Sequence, residues 1–564
     1  GMFRSQNQIT RHYRLRRFCQ NLTGSRVRRM GGNRPFHSGE ANFTPQNQRP
    51  TLRDVMAISI RALRCAISFL LLLGCLAKLC AGDAPVAKRV NILFLMDDQH
   101  RGDWIHAAEA KWMITPSLDR LAHEGVLFQR AYSSVPSCLG ARAALLTGMS
   151  PWGHGNLGYT PIPERFTVEK PRIFTEAGYR THAIGKQHFS PQTNYHGYQT
   201  VDLGEPNYSH MAQEPDYERW FAAQTGGQSP YPGNKSGNDQ RGGLHYAYDE
   251  KLHESYWTAD RAIDFLRATP RATNWFLKVS FHRPHAPLNA PKRWYDRYEG
   301  VEIPPPAVGD WAQAWYGKQQ TSFQKNPDAT RGVVPAEELR ETRRSYAAAI
   351  SFVDEQIGRI LEALEQRGEL ENTLILFTSD HGDVMGDNLL YRKTFAVEGS
   401  INVPMIVRWP AQLGLKAKRG QTRQELAELR DVLPTFLDAA GLPIPKAVEG
   451  LSLLDALRGR RWRSTLDLEH ASCYQPKDGW VALMDERYKY VYYNITGQQQ
   501  LFDLKRDPQE LRDLAGEPSS AKLLKKWRAK MVQHLAVRGD AFVRNGDLVV
   551  QPKAILKRAN NPNV

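Results

Sequence analysis

Arg89-Val-Asn-Ile-Leu-Phe-Leu-Met96 is a nearly unbroken apolar run, and it stops abruptly at Asp97-Asp98. Continuous apolar character without alternation suits a strand buried on both faces of a parallel sheet. A second run, Thr373-Leu-Ile-Leu-Phe-Thr378, ends in the same way, in Ser379-Asp380-His381-Gly382. Just before it, Tyr346, Ile350, Val353, Ile357, Ile360, Leu361 and Leu364 recur at three- and four-residue spacing, which predicts a helix burying one stripe. Arg180–Ile184 and Asn274–Ser280 read as two more strands. Strands alternating with helices imply an α/β fold with a large, mainly parallel sheet sandwiched by helices. In such sheets ligands bind beyond the carboxyl ends of the strands, so the polar residues that close each run are candidates for one shared site.

Working outward, residues 190–260 and 295–340 are polar, rich in Gly, Pro, Asn and aromatics, and read as long loops. After Gly450 the pattern changes: Gly479–Met484 and Tyr488–Tyr493 look like short strands, and a helix follows near 519–537. The expected organisation is therefore a leader over 1–82, a catalytic domain over 83–459 and a smaller α+β domain over 460–564.

The net charge of +16 invites a nucleic-acid reading until it is located. Residues 1–82 hold 14 Lys/Arg against 2 Asp/Glu, a net of +12, which leaves +4 for the rest. The remainder lacks polycationic character, and nucleic-acid binding is not expected. Up to about residue 50 the leader is rich in Arg, Asn, Gln and Gly and reads as disordered. A basic segment with Arg61 and Arg64, the apolar run Cys65–Ala77 and the small residues Cys80-Ala81-Gly82 then read as a secretory signal peptide. Met56 is an alternative start, and an uncleaved anchor stays open. The run is short for a spanning helix and ends at Lys78, so no stable membrane partner is expected. Export to a periplasmic or extracellular compartment follows. Four of the six cysteines lie in the leader, leaving Cys138 and Cys473, so disulfides do not hold the fold together. Beyond the leader, sequons occur at Asn207, Asn234 and Asn494.

Asp97, Asp98 and Asp380, with His381 beside them, form the first chemical constellation. Three carboxylates at two strand ends repel unless a cation neutralises them, and oxygen donors favour a hard ion. Helix capping by Asp98 and a turn at Asp380-His381-Gly382 are the alternative. The second constellation is Pro136-Ser-Cys138-Leu-Gly140-Ala-Arg142-Ala-Ala-Leu-Leu-Thr147-Gly148. It puts a sulfur at a helix N-terminus four residues from an arginine, two features that favour an anion or thiolate. A small buried residue at a helix start is the alternative.

Cys138–Gly148 resembles the sulfatase signature Cys-x-Pro-x-Arg followed by Leu-x-Thr-Gly, and further matches run in family order along the chain. These are Asp97-Asp98, Gly185-Lys186-Gln-His188, Pro284-His285-Ala-Pro287, Ser379-Asp380-His381-Gly382 and Lys393, with Arg487–Val491 and Gln500–Pro508 similar to the family's C-terminal domain. The resemblance implies an alkaline phosphatase-like fold and a type I sulfatase. Its nucleophile would be formylglycine, made from Cys138 by a formylglycine-generating maturase. One divalent cation, calcium before magnesium or manganese, would be held by Asp97, Asp98, Asp380, His381 and the modified Cys138. Arg142 would orient the formylglycine and Lys186 and Lys393 would clamp the sulfate. His285 would protonate the leaving oxygen, while His188 would help to regenerate the aldehyde. Gly140 departs from the pattern, which has Pro there, and Ala141 replaces a common Ser. Glycine is the more flexible residue, which weakens the segment as a maturation signal. A phosphonate monoester or phosphodiester hydrolase of the same superfamily is the alternative enzyme, and an inactive sulfated-glycan binder the alternative of another class. Export and the aromatic stretch Trp311-Ala-Gln-Ala-Trp315-Tyr316 point to a sulfated saccharide as substrate.

Overall fold

The computed structural model describes residues 89–205, 215–230, 241 and 245–564, which fall in one unit, Ala87–Val564. The leader, its signal peptide and the sequons at Asn207 and Asn234 lie outside the described residues.

Strands run in the order β1 Asn91–Asp98, β2 Val126–Phe128, β3 Ala131–Tyr132, β4 Arg180–Gly185, β5 Thr200–Leu203, β6 Trp275–Pro284, β7 Thr373–Ser379, β8 Met405–Arg408, β9 Gln421–Arg423 and β10 Ala427–Glu428. Eight of them form the large sheet, in the order β5-β4-β6-β1-β7-β8-β2-β9. All neighbours pair in parallel except β8, which opposes β7 and β2. β1 is central, between β6 and β7, so its carboxyl end opens onto both of theirs.

Alternation along the strands sorts the two layers of core. Ile92, Phe94 and Met96 face one layer, where they meet Ala141 and Leu145 of helix α1 (Cys138–Thr147). Leu93 and Leu95 face the other, against α2 (Glu254–Ala268) and the 31-residue α3 (Ala336–Gln366). Most of the expected stripe on α3 makes this contact, with Val353, Ile357, Ile360, Leu361 and Leu364 buried in it, while Tyr346 and Ile350 pack with Trp104 and Tyr298.

Beyond the large sheet, β11 Leu466–His470, β12 Trp480–Met484, β13 Tyr488–Tyr492 and β14 Gln499–Asp503 form an antiparallel sheet in that order. One face packs with Tyr132 and Ile401 of the main body, and the other is covered by α4 (Ala521–Ala536) through Trp527, Met531 and Leu535. Two stretches expected as loops contain regular structure. Residues 190–260 include β5, a helix over Asp216–Thr225 anchored by Tyr217 and Phe221, and the start of α2. Residues 295–340 include a helix over Asp310–Tyr316. Polar edge elements with only one or two apolar anchors carry little periodic signal. Among the described residues, no helix is long and apolar enough to cross a membrane.

Candidate active site

Four parallel strands, β4, β6, β1 and β7, deliver their carboxyl ends to one place, and α1 begins there. Asp98 closes β1, Asp380 and His381 follow β7, and Cys138 is the first residue of α1. One donor atom from each of these four buried residues lies within 4.8 Å of all the others. Cys138 Sγ is 3.3 Å from His381 Nε2 and 3.8 Å from Asp98 Oδ1. Two carboxylates, an imidazole and a thiol converging in a buried site can hold a divalent cation, with hard oxygen donors making up half of the set.

Three cationic side chains close around them. Arg142, one turn along α1 from Cys138, donates from Nη2 to Asp98 and from Nε to Asp380, both at 3.0 Å. Its Nη1 donates to the Lys186 carbonyl at 2.6 Å and to Ser280 Oγ at 3.1 Å, which ties the ends of β4 and β6 to α1. Lys186 Nζ lies 2.8 Å from Asp98 and 3.9 Å from Cys138 Sγ. Lys393 donates to Cys138 Sγ at 3.1 Å and to Gln99 Oε1 at 3.0 Å.

Each charge leaves its mark on the titration of its neighbours. Burial and Asp98 push the Cys138 thiol up, yet Lys186 and Lys393 outweigh them and bring it down to about 6. Burial also raises Asp98, but Lys186, His285 and Arg142 hold it well below the usual carboxylate range. Asp380 goes the other way, up to about 6, through burial and the nearby Asp98 charge. Two close carboxylates, one of them made harder to ionise, is the state a bound cation would relieve. His285 is driven well below the ordinary imidazole value by burial, then by Lys393 and Lys186. His188 falls to about 3 through burial and Lys186.

The histidine donors are oriented. His285 Nδ1 lies 2.8 Å from the Ala286 carbonyl, so the proton sits on Nδ1 and Nε2 is left for chemistry. His188 is anchored at its backbone N–H by Glu205, 3.0 Å away.

Asp97, the fifth expected ligand, stands apart from the other four. It is not among the four clustered donors; its Oδ2 is 2.7 Å from His100 Nδ1, and burial raises it. Successive strand side chains point to opposite faces, and only Asp98 shares the α1 face with Phe94 and Met96. Gln99 was missed. Its backbone takes φ 72°, and this turn carries its amide into the site. Gln99 Nε2 donates to Asp383 at 2.6 Å, which leaves Oε1 facing Lys393. Asp383 also accepts from Arg241 at 3.0 Å. An uncharged glutamine gives no sequence signal beyond its place after Asp98.

Cys473 and Cys138 are both free thiols. Tyr159 is raised by burial first and then by the charge of Cys138, so it lies within electrostatic reach of the site. Trp311 is core: it is buried beside Phe502 and donates to the Glu510 carbonyl at 2.7 Å. Trp315 is exposed, with its ring 6.0 Å from that of Tyr493.

Architecture and site together define a hydrolytic enzyme of the alkaline phosphatase-like kind. Residues 90–442 match the Sulfatase family model, and residues 386–536 match that of the N-sulphoglucosamine sulphohydrolase C-terminal region. An arylsulfatase of Clostridium perfringens is 35% identical, over 81% of this chain and 97% of its own. An N-acetylglucosamine-6-O-sulfatase of Bacteroides thetaiotaomicron is 26% identical, over 77% of this chain and 84% of its own. Among solved structures, the phosphonate monoester hydrolase of Agrobacterium radiobacter superposes with a TM-score of 0.66 at 25% identity, covering 80% of this chain and 96% of that one. The chain belongs to the sulfatase family.

Proposed function

We propose that this enzyme is exported and hydrolyses sulfate esters of a saccharide, with Cys138, converted to formylglycine by a maturase, as its nucleophile. The observation that carries this reading is the setting of Cys138 Sγ: 3.1 Å and 3.9 Å from two ammonium groups and 3.3 Å from His381, inside a buried four-donor cluster. A plain buried cysteine needs none of these. The N-acetylglucosamine-6-O-sulfatase relative supports a sulfated saccharide as the substrate class.

Asp98, Asp380, His381 and residue 138 would hold a divalent cation, with calcium the first choice and magnesium or manganese behind it. Such an ion supplies Lewis-acid polarisation of the sulfate and ionisation of the nucleophile. Everything else falls to the side chains. Lys186 and Lys393 flank residue 138 and stabilise negative charge on the sulfate as it develops. Arg142 keeps both ligand carboxylates in one orientation. His285 Nε2 faces the chemistry and donates a proton to the leaving oxygen. The free site keeps His285 neutral through burial first and then through Lys393 and Lys186, and an arriving anion opposes those two charges. Substrate binding therefore favours a proton at Nε2.

The peptide mass of the tryptic segment Ala131–Arg142, from protein made with an active maturase, tests the nucleophile. An aldehyde or its hydrate at Cys138 is expected, and an unmodified thiol overturns the reading. The similarity to a phosphonate monoester hydrolase favours one second reading, turnover of phosphonate monoesters at the same site. Comparing kcat/KM for an aryl sulfate and an aryl phosphonate separates the two.

A further inference from the structure

His282 takes no part in the site as described so far, yet the fold brings it there. Between Met96 and Asp98 the β1–β6 register shifts, so that two steps on β1 span Ser280 to Pro284 on β6. An irregularity of this kind re-aims side chains at a strand end. Ser280, two residues before His282, already bonds Arg142. The His282 ring stacks on His285, with centroids 5.0 Å apart and planes 24° apart. It feels the charges of Lys186, Asp98 and Arg142, as a group inside the anion site would.

Its two nitrogens have different surroundings. Nδ1 is 3.0 Å from Arg283 Nη1 and 3.3 Å from Glu254 Oε2. The guanidinium is the nearer partner and can only donate, so Nδ1 accepts and the ring proton lies on Nε2. Nε2 is buried and has no hydrogen-bond partner among the described residues. A buried N–H without an acceptor is costly, and one beside an anion site has an evident acceptor in the substrate.

We propose that His282 touches the substrate, its Nε2–H donating a hydrogen bond to an oxygen of the bound sulfate group beside His285. This rests on the sulfatase reading above. His282 is then a neutral donor added to the two ammonium groups. Unlike them it is directional, so it selects how the tetrahedral anion is turned toward residue 138.

The test uses the full chain and three variants, His282→Gln, His282→Asn and His282→Ala, each checked for native circular dichroism. Glutamine places an amide N–H near the position of Nε2, and asparagine places its amide near Nδ1. Expected is a loss of about ten- to a hundred-fold in kcat/KM on an aryl sulfate for His282→Ala and His282→Asn, in the range of a single lost oxyanion donor. His282→Gln should stay within about fivefold of the parent on the same basis. Inorganic sulfate, titrated calorimetrically, should bind more weakly to the Ala and Asn variants and with little change to the Gln variant. A parent-like Asn variant beside an impaired Gln variant overturns the proposal, because the ring would then matter through Nδ1 and Arg283. Three variants within twofold of the parent also overturn it. If the parent hydrolyses no sulfate ester but sulfate binding follows the expected order, the sulfatase reading fails and the His282 contact stands. If turnover is normal and the order is absent, only the His282 contact fails.

Discussion

The two faces of the sheet meet at the end of β1 and treat neighbouring carboxylates in opposite ways. On the α1 face, Asp98 lies among Arg142, Lys186 and Cys138, and its charged form is strongly favoured. Across the strand Asp97 meets His100 and Ser379, and burial favours its neutral form. One residue of pleat separates a carboxylate inside the four-donor cluster from one held beside it.

Breaking that contrast gives the largest expected effect. Asp98→Asn should lower kcat/KM by about a thousand-fold or more, since it removes the carboxylate on which Arg142, Lys186 and the cation site converge. Calorimetry should show weaker binding of calcium. Asp97→Asn should leave calcium affinity and kcat/KM within about tenfold, yet cost about 1–3 kcal/mol of stability by disturbing the buried His100 pair. Equal activity losses in the two variants would mean that both carboxylates serve the site, against the alternation argued here.

A second effect should be smaller. Arg142 bonds Asp98 and Asp380 through two different nitrogens, which a lysine cannot reproduce. Arg142→Lys should therefore cost about a hundred-fold in kcat/KM while the chain still folds. If steady-state kinetics show less than a threefold change, the guanidinium supplies charge alone and does not align the two carboxylates.

The third effect is a displacement along the pH axis. Burial, Lys393 and Lys186 depress His285, so its protonated form is lost at a pH below the ordinary imidazole value. The proton is needed for leaving-group departure, and kcat/KM reports the free enzyme. Hence kcat/KM should rise as pH falls through the range below about 6.5. Lys393→Met removes a depressing charge, and this limb of the profile should move to higher pH even as the rate falls. Movement toward lower pH would remove His285 from the role of acid.

These experiments also show what the sequence made legible. Apolar runs ending in acids exposed β1 and β7, and the spacing from Tyr346 to Leu364 exposed α3, because deep burial forces both patterns. Asp380 and His381, at the end of β7, were readable as site candidates for the same reason, whereas Cys138 and Arg142 joined them through the resemblance to the sulfatase signature. Asp97 was not separable from Asp98, since two adjacent acids look alike until the face of the strand is known. Gln99 and His282 depend on a positive φ and on a shifted β1–β6 register, neither of which leaves a compositional trace. Trp311 suggested a sugar platform by its type, but packing against Phe502 makes it core.

The smallest effect lies on the α1 face itself, at the residue that departs from the family pattern. Gly140 is the third residue of α1, where a proline is compatible with the backbone because the first turn's N–H groups lack intrahelical acceptors. The obstacle is a side chain: a Cβ on residue 140 would come within 2.4 Å of Val135 Cγ1 and 2.8 Å of its Cβ. Val135 is fully buried, so it has little room to withdraw. Gly140 and Val135 are thus a matched pair, and the missing proline reflects local packing while Cys138 and Arg142 keep their places. Gly140→Pro alone should lower stability by about 1–3 kcal/mol through overpacking, read as a lower Tm. Val135→Gly combined with Gly140→Pro, which removes both contacting atoms, should recover part of it. With the clash relieved, the double variant carries the family's Pro beside Cys138, and the mass of the Ala131–Arg142 peptide then reports how conversion responds to that proline. Recovery of stability without any gain in conversion would show that the maturase reads Cys138 and Arg142 and is indifferent to the residue between them.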